Sequence, residues 1–132
     1  MTGGYGENMR TFFVIVSAIA LCAAIGAAAP PVSAAVISVP GDYSTIQAAV
    51  DNASPGDLIN VYNGTYPEYV TVGTTLTLQG YGNPIIQGDR DTNQDVVALN
   101  ADNILFDGFE VTDSDSSHGA IGISGAGVVI RN

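Results

Sequence analysis

NILFDGFEV, residues 103–111, and GVVIRN, residues 127–132, repeat one pattern: Ile104 and Phe106 fall on Val128 and Ile130, a spacing of 24. Leu76 and Leu78 precede Ile104 and Phe106 at a spacing of 28. Val70, Val96 and Ala120 form a second series, spaced 26 and 24, and Ile85 relates to Phe109 or Val111 at about the same interval. Each segment is a short apolar alternation of strand length, bounded by Gly, Asn and Asp. Three strand series that share nearly one repeat length describe a coil with three strands per turn, each strand pairing with its equivalent one rung away. An antiparallel β-sandwich permits the same short strands and Gly-rich turns. It gives no reason for three series to share one repeat length. The expected fold is therefore all-β, a right-handed parallel β-helix of about three rungs over residues 57–132.

VPGDYSTIQAAVDNASPGDLINVYNGTY, residues 39–66, holds the one helical pattern. Ser44 precedes Gln47 by three, the spacing of a capping box. Ile46, Ala49, Val50 and Ala53 form an apolar stripe, and Ser54-Pro55-Gly56 ends it. A helix this short has no stability alone, so its stripe must lie on another element. The open end of a β-helix exposes its core and a row of unpaired strand edges. The helix, near residues 44–53, is the expected cap on that end.

The start of the chain is different. Arg10 is followed by TFFVIVSAIALCAAIGAAA, residues 11–29, without charge, and then by Val32-Ser33-Ala34, small residues where a signal peptidase cuts. Residues 1–34 read as a signal peptide, with Met9-Arg10 a second candidate start. A retained anchor is the rival, since the run approaches the roughly 20 residues that span a bilayer. Cys22 lies inside the run, so the mature part, residues 35–132, has no thiol for a disulfide or thiolate metal site. It carries two arginines against 12 acids and no lysine. So acidic a surface repels phosphate backbones and anionic headgroups, which excludes nucleic acid and, after cleavage, the membrane as partners. The chain ends in a strand with no second capping pattern. It reads as the N-terminal part of a longer exported β-helix that would self-associate through its open last rung.

Val39-Pro40, the STIQAAV segment, Ser54-Pro55-Gly56-Asp57, Val61, Asn63-Gly64-Thr65-Tyr66, Glu68 and Val70 to Val72 resemble the opening of the pectate-lyase-like right-handed β-helix superfamily. The likeness is to exported repeat proteins of bacterial and archaeal surfaces, a branch that includes accessory proteins for copper delivery to nitrous oxide reductase. It spans about residues 36–132. It implies the fold and a secreted or cell-surface location. It implies function less directly, because this fold carries lyases, hydrolases, epimerases, adhesins and structural proteins.

The chemical candidates are few. Asp89, Asp91, Asn93 and Asp95 alternate as calcium ligands do. Gln94 replaces the turning glycine of an EF-hand and Asn100 its final glutamate, and a solvated turn rich in Asp and Asn is the plainer reading. Calcium is the only cofactor with any signal. A second acidic loop, Asp113 to His118, follows one repeat length later, Asp113 standing to Asp89 as Val128 stands to Ile104. The lyase route that the resemblance implies needs an arginine or lysine base, and in residues 35–132 only Arg90 and Arg131 are present. Carboxylate pairs such as Asp91 with Asp115 meet glycosidase spacing, but so do many pairs on an acidic coil. His118, a lone imidazole, makes no copper site. Tyr62, Tyr66, Tyr69 and Tyr81 are candidates for a sugar-stacking face, with packing at rung edges as the plainer role. Asn63-Gly64-Thr65 and Asn52-Ala53-Ser54 fit the glycosylation pattern. No catalytic residue is assigned. The expected function is an exported or surface β-helix module, non-catalytic as it stands, structural or binding polysaccharide or cell-envelope material. The alternative is the front of a polysaccharide lyase or glycoside hydrolase.

Overall fold

The computed structural model describes residues 31, 33–89, 93–112 and 118–132. The chain divides into Met1–Val32 and Ser33–Asn132, and all described residues but Pro31 belong to the second unit. The apolar run over residues 11–29, read above as an export signal, therefore lies outside the described residues, among which no helix is long and apolar enough to cross a membrane.

Ser33–Asn132 is a parallel β-solenoid of about four turns. In chain order it runs β1 (Val36–Val39), α1 (Ile46–Asn52), β2 (Leu58–Tyr62), β3 (Thr65–Tyr66), β4 (Val70–Val72), β5 (Thr77–Tyr81), β6 (Ile85–Gln87), β7 (Val97–Leu99), β8 (Leu105–Asp107), β9 (Glu110–Thr112), β10 (Ile121–Ile123) and β11 (Val129–Arg131). The strands stack into three sheets: β1-β2-β5-β8-β11, β3-β6-β9 and β4-β7-β10. Every pairing is parallel.

The register follows the apolar series. Ile37, Ile59, Leu78, Phe106 and Ile130 face one another along the first sheet. In the second, Tyr66, Ile86 and Val111 face one another, while Ile85 faces Glu110 and not the expected Phe109 or Val111. In the third, Val70 faces Val97 and then Ile121, one residue beyond the expected Val96 and Ala120. The reason lies in parallel pairing, where an N–H bonds the residue before its facing partner. Val70 N–H donates to the Val96 carbonyl at 2.9 Å and Val97 N–H to that of Ala120 at 3.0 Å. Val96 and Val97 are both buried, so the apolar pattern alone does not separate them.

β1 adds a turn ahead of the expected first rung at residue 57, because Val36 to Val39 pair with Leu58 to Val61. Between β1 and β2 the chain makes α1 where later turns make strands of the other two sheets. Ile46, Ala49 and Val50 are buried, and α1 packs on β1, β2 and β4. The helix is thus the lid of the solenoid.

Its cap differs from the expected one. Thr45, not Ser44, is the N-cap, its Oγ1 accepting from Ala48 N–H at 3.2 Å. That shift moves Gln47 out of capping-box position. Glu68 takes the role across the coil: its two carboxylate oxygens accept from Ile46 N–H and Gln47 N–H, each at 2.9 Å. Gln47 is released for the sheet. Its Oε1 accepts from Thr71 N–H at 2.7 Å and its Nε2 donates to the Thr71 carbonyl at 3.2 Å. The side-chain amide acts as one more residue of strand, closing the edge that β4 exposes.

Candidate functional site

In the five-stranded sheet, the side chains that point away from the core form columns up the solenoid. Ser38, Asn60, Gln79, Asp107 and Arg131 make a polar column. Beside it Tyr62 and Tyr81 face each other in register, rings stacked with centroids 5.6 Å apart and planes 24° from parallel. Tyr62 is 47% exposed and Tyr81 46%, so the pair is a solvent-facing ledge and not core packing.

The ledge ends at Tyr81 for a backbone reason. β8 pairs with β5 only as far as Gln79 with Asp107. Gly108 then takes a φ of 79°, and Phe109 turns inward to stack on Phe106 at 4.4 Å. Gly80 and Gly108 approach backbone to backbone, and a Cβ on Gly80 would collide with the Gly108 carbonyl. No residue of β8 stands in register with Tyr81, so the tyrosine column stops at this glycine step. Gln79 and Asp107 are partly exposed beside it. Asn60 Oδ1 is buried and accepts no hydrogen bond, which takes it out of direct reach of a ligand.

The other tyrosines leave this face. Tyr66 is buried, its hydroxyl donating to the Tyr62 carbonyl at 2.7 Å; burial first and the Glu68 charge second push its phenol upward. The Tyr69 hydroxyl accepts from Asp89 N–H at 2.8 Å and donates to the Asp89 carbonyl at 2.6 Å. It fixes the backbone where the first acidic loop begins.

Of the four candidate calcium ligands, Asp89 and Asn93 are exposed, and Asp91 lies outside the described residues. Asp95 is a strut: its Oδ1 accepts from Gly119 N–H of the next turn at 3.0 Å, and its carboxylate rests against Gly122. Among the described residues no three His, Cys, Asp or Glu side chains gather as a metal site would require. Arg90, Asp115 and the rest of the second acidic loop before His118 lie outside the described residues. Arg131 stands across from Asp107 on the outer face of the first sheet.

Several other polar side chains serve the coil in the same way. Asp102 Oδ1 accepts from Ala126 N–H and Asn100 Oδ1 from Ser124 Oγ, each at 2.7 Å and each one turn further along the chain. Asp57 is the one buried charged residue among those described. It accepts from Ser54 N–H at 2.8 Å and Ala35 N–H at 2.7 Å, and these donors hold its carboxyl below the ordinary value against the cost of burial. Sequence spacing does not single out Asp107, Gln79 or Asp57. Asp107 and Gln79 become neighbours only through sheet register, while the Ser-Pro-Gly-Asp turn is the one local signal for Asp57.

No protein-family model matches the chain, and no solved structure matches it. Over 61 residues it is 44% identical to the Arabidopsis thaliana protein named "Putative pectinesterase/pectinesterase inhibitor 38". That alignment takes in 38% of this chain and 13% of the plant protein, so the chain spans a small part of that relative's length.

Proposed function

We propose that this chain is an exported β-helix module of the pectate-lyase-like class that holds a polysaccharide on the outer face of its five-stranded sheet, without catalysing its breakdown. The observation that carries the reading is the exposed Tyr62–Tyr81 ledge beside Gln79 and Asp107. A pyranose ring presents an apolar C–H face and a rim of hydroxyls. The tyrosine ring takes the first and the amide and carboxylate take the second. The similarity to a stretch of a plant protein named as a pectinesterase supports a plant-type polysaccharide as ligand and an extracellular setting. A formal charge of −10 opposes a polyuronate, so the favoured ligands are neutral or methyl-esterified chains. Four of the acids are committed to the coil, which favours binding over catalysis: Asp57, Glu68, Asp95 and Asp102 each accept a backbone N–H.

Affinity electrophoresis in gels containing highly methyl-esterified pectin, neutral galactan or polygalacturonate tests this. Retardation by the first or second, and a loss of at least tenfold in affinity in the Tyr62→Ala/Tyr81→Ala double variant, is the expected result. Equal mobility in all gels overturns it. The pectinesterase similarity also favours a second reading, the front of an enzyme acting on pectin. Release of methanol, reducing ends or unsaturated product by the purified chain would establish that reading instead.

A further inference from the structure

Ala35 follows the bond that a signal peptidase would cut, and it is also the residue whose nitrogen reaches the one buried carboxylate described. The Asp57 Oδ1 lies 2.7 Å from Ala35 N, while its Oδ2 holds Ser54 N–H at 2.8 Å where the chain leaves α1. The same two segments are joined again by Leu58 N–H donating to the Ala35 carbonyl at 2.9 Å. Asp57 is 4% exposed, whereas Ser33, Ala34 and Ala35 are exposed and outside any strand or helix, as a scissile segment must be. The cut therefore falls one residue before the first strand and directly on the atom that Asp57 already holds.

We propose that removal of residues 1–34 creates a structural latch: the new α-ammonium of Ala35 forms an ion pair with Asp57 that locks β1 and the exit of α1 onto the first turn. Hydrolysis breaks the Ala34–Ala35 C–N bond. Water supplies the oxygen of the new Ala34 carboxylate, and the Ala35 amine, protonated at neutral pH, replaces an amide N–H by a full positive charge in the same place. Before the cut Asp57 has two neutral donors for its charge; after it, one donor is ionised, which strengthens the bond and neutralises the buried carboxylate. Cleavage thus stabilises the lid end of the solenoid as well as releasing the chain. The inference rests on the export reading of residues 1–34.

Mass spectrometry of the exported protein decides the premise, with a mature start at Ala35 expected and any other start overturning the proposal. Three forms of residues 35–132, whose core is wholly contained within them, decide the latch: a free Ala35, an Nα-acetylated Ala35, and a chain extended by one glycine. The acetylated and extended forms keep the Ala35 N–H donor and lose only the charge at that position. The free form is expected to melt several degrees above both. Its α-amine is expected to react with an acylating reagent at least tenfold more slowly than the amine of the Asp57→Asn variant. Equal melting of the three forms overturns the latch even where the start is Ala35. So does an amine reactivity unchanged by Asp57→Asn.

Discussion

Asp57 shows how much one residue does in a fold without disulfides. It closes the turn after α1, anchors the chain before β1, and through its own carbonyl accepts Thr77 N–H at 3.0 Å from the next turn. Because the backbone donors lower its pKa in the fold, its contribution is present above the unfolded value of about 3.9 and is lost as pH falls through the lowered folded value. Asp57→Asn is therefore expected to melt below the wild type at pH 7. The gap should narrow once pH drops below about 4, as thermal melts across pH 2–7 would show. Gly80 is limiting for a different reason, since its neighbour in the next turn is the rigid backbone of Gly108. Gly80→Ala should cost about 1–3 kcal/mol in urea unfolding, the range of overpacking, because a carbonyl cannot rotate aside as a side chain can.

At the scale of the element, α1 is seven residues long and owes its existence to contacts it does not carry itself. Two of its first N–H groups are satisfied by Glu68, which sits just before β4, and its Gln47 in turn completes the edge of β4. Lid and first rung therefore stabilise each other. Glu68→Ala should destabilise the protein by about 1–3 kcal/mol, the cost of leaving such donors without a partner. Hydrogen exchange should rise first at residues 46–52 and Thr71, with β7 and β8 little changed. The helix was legible in the sequence because its stripe, Ile46, Ala49 and Val50, is local. The second partner of its first turn was not, since Glu68 is distant in sequence from Ile46 and meets it only once the coil has closed. The strands divide in the same way. Leu78, Phe106 and Ile130 announce their register by spacing, whereas Val70 cannot choose between two adjacent buried valines until hydrogen bonding does so. Among the tyrosines, side-chain type is silent about direction: Tyr62 points out and Tyr66, in the very next strand, points in.

At the scale of the molecule, the two ends of the described solenoid differ, and the chain carries a formal charge of −10. At the lid the core is sealed: Val39, Ile46 and Ile59 have no exposed surface. At β10 and β11, Ile123, Val129 and Ile130 are 54%, 43% and 42% exposed. Along the coil, acids recur at the rung spacing, and part of this pattern is structural, since Asp95 and Asp102 each hold a backbone N–H of the following turn. The cost is repulsion between turns stacked about 4.8 Å apart, with only three basic side chains in the chain to offset it. Screening should relieve that repulsion, so the melting temperature is expected to rise as sodium chloride goes from about 10 mM to 0.5 M, where the Debye length falls from tens of ångströms to a few. Calcium separates screening from ligation. A site built from Asp89, Asp91, Asn93 and Asp95 would raise the melting temperature at millimolar calcium beyond a sodium chloride control of equal ionic strength, and the excess would vanish in Asp91→Asn. With the Asp95 carboxylate already holding Gly119 N–H, the expected result is equal melting in the two salts.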